Sequence, residues 1–242
     1  MVATLEDDRD GKIIFDYSRQ RLTGAGLDSL FDLADSTNLS SKIASMRSGS
    51  VINTTENRSV LHHLLRHPDA ATSPVPEESE KVQSVLSRVE AFTDTVRSGE
   101  HKSATGEKIT DFVAIGIGGS QLGPEFVCEA LRADAEASAA ASGLSLTFLA
   151  NVDPVDLHLT LSKLNASTTM IIVVSKTFTT AETMLNARAA RSWLLSELKG
   201  KAEEKNILEQ QVIAVSTALE KTGEFGIKEE NVFGFWDWVG GR

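Results

Sequence analysis

The sequence predicts an α/β fold: a doubly wound, mostly parallel sheet of five strands, preceded by a helical segment. Three observations carry that prediction. Short apolar runs at 112–117, 146–152, 170–175, 212–216 and 231–236 are largely continuous rather than alternating, the pattern of strands buried on both faces. Stretches with helical periodicity separate most of these runs, as parallel crossovers require. The first hundred or so residues are poor in such runs and carry apolar residues at three- and four-residue spacing. A helical segment is therefore expected at 1–106 and an α/β domain at 107–242.

Taken in order, TGAGLDSLFDLAD (23–35) and LSSKIASMR (39–47) read as two short amphipathic helices parted by Ser36-Thr37-Asn38. NTTENRSVLHHLLR (53–66) reads as a loop opening a helix with Val60, Leu61, Leu64 and Leu65 on one face. The proline-bearing stretch 67–80 is a connector. Val82, Val85, Leu86, Val89, Phe92 and Val96 then mark a longer amphipathic helix, followed by a polar loop at 98–108. The alanine-rich stretch 133–142 reads as a helix end and loop.

Composition narrows the function. At 242 residues with 41% hydrophobic and 24% charged residues, the chain has the make-up of a soluble globular protein. No apolar stretch reaches the roughly 20 residues of a membrane span, and the acidic start MVATLEDDRDGK lacks a secretory h-region. A net charge of −10 argues against nucleic-acid or anionic-membrane partners. Cys128 is the only cysteine, which suits a reducing compartment; within an apolar helical stretch it reads as a small buried residue.

Two polar loops follow expected strands, where open parallel sheets collect ligands. GIGGSQLGP (116–124) combines glycines that admit close backbone approach with a helix expected to include 124–132. The dinucleotide fingerprint fails there, because Gln121 stands at its third glycine position and Asp153 comes too late to grip a ribose. The second loop, SKTFTT (175–180), offers hydroxyls and one ammonium ahead of a helix whose inner face is Met184, Ala187, Ala190, Leu194 and Leu198. Thr179-x-x-Glu182 matches a capping box, so plain capping accounts for those two residues. It does not account for Ser175, Lys176 and Thr177, which point to an anion at a helix start. A P-loop is absent, so a nucleoside triphosphate is not indicated.

GIGGSQLGP, LANVDPVD (149–156), VVSKTFTTAETMLNAR (173–188) and FWDWVGGR (235–242), with DYSRQR (16–21) and NTTENRSVLH (53–62), resemble the glucose-6-phosphate isomerase family, of the sugar-isomerase (SIS) fold and closest to plant-type sequences. One local departure is HKSATG (101–106), where the family carries Trp and Gly in place of His101 and Ser103; a tighter turn is expected to be lost. The larger departure is length. Family subunits hold two SIS domains, so this chain resembles an amino-terminal fragment without the second domain, which carries the family's carboxylate base, ring-opening His and a Lys.

The resemblance implies interconversion of glucose 6-phosphate and fructose 6-phosphate through ring opening and a cis-enediolate, with no metal or organic cofactor. It assigns Ser175, Lys176, Thr177 and Thr180 to the phosphate, Gly119 and Ser120 to the sugar, and Arg242 to the enediolate oxyanion. A homodimer is implied for the full-length family protein, and a cytoplasmic setting, with a plastid as the alternative. A non-catalytic sugar-phosphate-binding SIS module is the competing function. His62, His63 and His67 read as surface or packing residues, Phe233, Phe235, Trp236 and Trp238 as core strand, and Asp237 as a local hydrogen-bonding residue or a partner for Arg242.

Overall fold

The structure, a computed structural model, describes residues 2–6, 12–66 and 70–240. The chain divides into two compact units, Met1–Leu61 and His62–Arg242.

The first unit opens with strands β1 (Val2–Glu6) and β2 (Lys12–Asp16), paired antiparallel with Val2 opposite Asp16. No strand is expected here, although Ile13-Ile14-Phe15 form a short apolar run within β2. Helices α1 (Gly24–Ser36) and α2 (Leu39–Arg47) follow. Thr23 caps α1 by accepting from the Gly26 amide, and Asn38 makes the break between the helices in a left-handed conformation, φ 54°, which Asn tolerates better than most residues. NTTENR forms a tight turn closed by the Asn53–Arg58 bridge. The Asn53 side chain holds that turn from within, accepting from the Thr55 hydroxyl and the Glu56 amide.

The second unit begins with a single 3₁₀ stretch, His62–Arg66, rather than the expected α-helix. Leu64 is buried there while Leu65 is exposed. Helix α3 (Pro76–Ser98) starts inside the expected connector, with Pro76 in the first turn, where its missing N–H is not needed. It ends at Gly99, φ 82°.

The sheet contains β3 (Asp111–Ile115), β4 (Ser145–Leu149), β5 (Thr169–Val174), β6 (Val212–Val215) and β7 (Val232–Phe233) in the order β4-β3-β5-β6-β7. All four pairings are parallel. The intervening helices are α4 (Gly119–Leu131), α5 (Ala135–Ala140), α6 (Pro154–Leu161), α7 (Ala181–Glu197), α8 (Glu204–Gln211) and α9 (Leu219–Glu224).

Alternate residues of the strands feed two cores, which explains why the runs read as continuously apolar. Val113, Ile115, Ile171, Val173, Val212 and Ala214 pack with Met184, Ala187, Ala190 and Leu194 of α7. On the other face Met170, Ile213 and Phe233 meet Val96 and Phe92 of α3, the two phenyl rings lying 5.3 Å apart. Arg88 of α3 lies over the Phe233 ring and donates to the carbonyls of Glu230 and Val232, so the short edge strand β7 is partly covered. The wholly buried Gln211 fastens the opposite end of the sheet, accepting from the Ala104 amide and donating to the Ala166 and Thr169 carbonyls.

Among the described residues, α4 packs loosely: none of its residues is buried, and Leu122, Phe126 and Val127 are 61%, 72% and 52% exposed. Cys128 is exposed with them, contrary to its expected burial, because the apolar surroundings that suggested a core are themselves at the surface. The HKSATG turn is retained, with the Gly106 amide bonded to the Ser103 carbonyl and the Ser103 hydroxyl accepting from the Glu107 amide. His101 stacks edge-on against Phe92 and contacts the Gln210 carbonyl.

Candidate functional site

β3 is the first strand laid down in the sheet, and the chain then leaves it in two directions. β4 pairs on one side and β5 on the other, with Ile115 aligned to both Leu149 and Val173. The crevice outside the carboxyl ends of β3 and β5 is therefore the topological switch point. The two polar loops, 116–120 and 175–180, flank it on neighbouring strands.

The first loop is tightly drawn. α4 starts at Gly119, earlier than expected, and Pro124 lies inside the helix instead of opening it. Pro124 has no N–H to give, so the Ser120 carbonyl is left out of the helical ladder at that point. That carbonyl sits close against Gly116: a Cβ on Gly116 would meet it at 2.9 Å. Gly118, φ 61°, makes the bend and provides no side-chain cap. Gly119 is exposed and Ser120 half-buried at the start of the helix.

The second loop is organised around Phe178. Its ring is buried against Phe225, centroids 5.6 Å apart, while its backbone takes φ 52°. A left-handed aromatic residue costs on the order of 1–3 kcal/mol, which burial of the ring offsets. The kink brings the Thr177 and Thr179 hydroxyls to 2.7 Å and sets the Ser175 hydroxyl 3.4 Å from that of Thr180. Ser175 is buried, Lys176 half-buried, and Thr177 and Thr180 exposed. The expected capping box does not form. The N-cap falls one residue later, at Thr180, and no side chain caps the helix. The first amides of α7 and its dipole are thus turned to the loop.

The Lys176 backbone carbonyl is held by the Thr217 amide and by the Ser216 and Thr217 hydroxyls at the end of β6. Its ammonium donates to the carbonyls of Asp237 and Val239, at 2.8 and 2.6 Å. The loop is therefore joined to the segment beyond β7. There, of the four aromatic residues expected in a core strand, only Phe233 lies in β7; Phe235 follows it, Trp236 and Trp238 stack face to face at 4.9 Å beyond the strand, and Trp238 donates to Glu78 of α3. Asp237 is exposed. Arg242, the expected oxyanion residue, and His67 lie outside the described residues; His62 is exposed and His63 half-buried.

Further residues complete the surround. Asp153 caps α6 through the Val155 amide, and Asn186 of α7 donates to the Asn151 carbonyl, which binds the loop after β4 to the α7 helix. Ser216 and Thr217 follow a strand in the same way as the two polar loops do, and that position is the signal that could find them. Glu125 accepts from Gln121, and Glu182 is exposed in the first turn of α7.

The phosphoglucose isomerase model matches residues 16–242. The chain belongs to the phosphoglucose isomerase family. It is 50% identical over 236 residues to the cytosolic B glucose-6-phosphate isomerase of Oryza sativa subsp. japonica, covering 95% of this chain and 40% of that protein. The cytosolic glucose-6-phosphate isomerase of Arabidopsis thaliana matches to the same extent. The fold is that of the glucose-6-phosphate isomerase of Chlamydia trachomatis, with a TM-score of 0.74 at 23% identity over 94% of this chain and 41% of that one. The chain spans about 40% of the length of the curated relatives it matches. No described helix is long and apolar enough to cross a membrane.

Proposed function

We propose that this chain is the phosphate-gripping part of an aldose–ketose isomerase that interconverts glucose 6-phosphate and fructose 6-phosphate in the cytosol, where its plant relatives are named as working. The observation that carries this reading is the pair of polar loops on the adjacent strands β3 and β5, in register at Ile115 and Val173. One loop offers a helix start with no side-chain cap and the hydroxyls of Ser175, Thr177 and Thr180, with Lys176 among them. These are the donors a phosphate dianion takes. The other brings Gly119 and Ser120 beside the sugar.

Holding the phosphate orients a substrate whose reacting carbons lie at its far end, so binding energy is spent on position. Arg242 has the role of stabilising the oxyanion of the enediolate, in which one fixed donor is worth roughly 3–4 kcal/mol. Proton transfer between C2 and C1 needs a base within hydrogen-bond reach. The carboxylates that follow the two loops in sequence are Glu125, occupied by Gln121, and Glu182, at a helix start, and neither takes that role. The second SIS domain of the family supplies the base, and a dimer of full-length subunits is the assembled form.

Calorimetric titration with fructose 6-phosphate tests the site. Binding should weaken about tenfold in Thr177→Val, and a coupled assay on the chain alone should show no turnover. Absence of fructose 6-phosphate binding would remove the sugar-phosphate reading. Turnover lost in Arg242→Ala would place the base within these residues.

A further inference from the structure

Lys176 reaches away from its own loop. Its Nζ donates to the carbonyl oxygens of Asp237 and Val239, at 2.8 and 2.6 Å, across 61 and 63 residues of sequence. Two carbonyls two residues apart converge on a single ammonium, which has three donors to give. Its backbone is no freer, since the Lys176 carbonyl accepts from Thr217 and Ser216. Around those acceptors, the Val239 amide returns to the Trp236 carbonyl, closing a turn, and the indoles of Trp236 and Trp238 stack at 4.9 Å with 1° between their planes. The segment 236–240 lies beyond the last strand, outside any sheet ladder. Lys176 and the Trp238–Glu78 hydrogen bond are side-chain ties that hold it.

We infer that Lys176 is a positioning residue: its ammonium fixes the 236–240 turn, the segment that leads in sequence to Arg242, rather than serving mainly as a phosphate ligand. The inference rests on the proposed role of Arg242 for its catalytic meaning, but not for its structural content. A charge-assisted bond to a carbonyl is stronger than a neutral one. Two of them on an unladdered turn give the loop that grips one end of the substrate control over the segment that serves the other.

The test uses the whole chain in a Trp193→Phe background, leaving Trp236 and Trp238 as the only indoles. Lys176→Met keeps the stem and removes the donors; Lys176→Arg keeps donors. Near-UV circular dichroism and hydrogen exchange over 236–240 are read together with far-UV dichroism. Lys176→Met should lose the stacked-indole signal and speed exchange in this turn about tenfold or more, with far-UV dichroism unchanged and the signal substantially retained in Lys176→Arg. An unchanged signal and unchanged exchange in Lys176→Met overturn the inference. If Lys176→Met does not fold, Lys176→Gln is compared with Lys176→Arg by the same two readouts.

Ligand titrations separate this from the functional reading. Lys176→Met should weaken fructose 6-phosphate about tenfold more than inorganic phosphate, because only the sugar reaches the repositioned segment. Equal loss for both ligands marks Lys176 as a direct phosphate ligand and overturns the positioning role. If the parent chain binds neither ligand while the indole signal still depends on Lys176, the functional proposal fails and the positioning of the turn stands.

Discussion

Ser120 sits so close to Gly116 that a methyl group on the glycine would come within 2.9 Å of the serine's carbonyl oxygen and 3.0 Å of its Cβ. The contact is to backbone, which cannot rotate aside. Gly116→Ala should therefore push the start of α4 away from the end of β3, at a cost of about 1–3 kcal/mol. Urea denaturation would read that cost, and fructose 6-phosphate affinity should fall with it. Gly123→Ala, where no atom lies within 4 Å, is the control expected to leave binding in place.

A second prediction concerns Asp111, at the start of β3. Burial raises its pKa, but hydrogen bonds from Ser145, Thr168 and Thr110 outweigh burial, and the net effect holds the carboxyl below its ordinary value of 3.8. The ionised form is thus favoured in the folded chain, and its contribution to stability is full above the ordinary value. It fades as the pH falls from there through the lower folded value. Asp111→Asn should lower Tm by about 2–4 °C at neutral pH, a modest effect because solvent screens this partly exposed group. In a thermal-melt series the gap from the parent should close in acid; a gap independent of pH would show that the charge is irrelevant.

Gln211 offers a sharper test of the sheet's other end. With both polar atoms of its amide engaged and no exposed surface, Gln211→Leu strands one N–H and two carbonyls. Unsatisfied buried groups cost about 1–3 kcal/mol each, with partial relaxation, so a total loss of roughly 2–5 kcal/mol is expected in denaturant titration. The site lies beyond the opposite ends of the strands, so the folded fraction should bind fructose 6-phosphate as before.

The apolar face of α4 predicts concentration-dependent association of this chain with itself. Phe126 and Leu122 are one helical turn apart and mostly exposed, and burying one such side chain is worth about 1.5–3 kcal/mol. Phe126→Lys should weaken association roughly 10- to 100-fold. Static light scattering across a dilution series measures it, and scattering that is equally steep in the variant would remove this face as the cause.

Much of the fold is legible in the sequence because burial on both faces leaves a mark. The runs that become β3, β5 and β6 are largely apolar without alternation because alternate residues serve two cores. The spacing of Met184, Ala187, Ala190 and Leu194 gives the inner face of α7 directly. Elsewhere local signals mislead. Pro124 resembles a helix start, yet α4 begins five residues earlier because Gly118 and Gly119 permit the bend. Thr179 and Glu182 match a capping box by spacing alone, but the buried, left-handed Phe178 turns Thr179 towards Thr177 instead. Cys128 sits in apolar sequence that faces outwards. The polarity of SKTFTT is visible from sequence, whereas the acceptors of Lys176 are 61 and 63 residues away, where no periodicity can point.

The alignment of Ile115 with both Leu149 and Val173 also limits how the gene can change length. Adding one codon between Asp111 and Ile115 would turn the following side chains to the wrong core and slide the glycine loop past its neighbour. Adding several codons between Leu131 and Ser145, where the surface stretch around α5 has no buried residue, would disturb neither. Insertions and deletions among natural copies should therefore collect in that outer connection, and the distance along the chain from each strand's end to its ligand loop should stay constant.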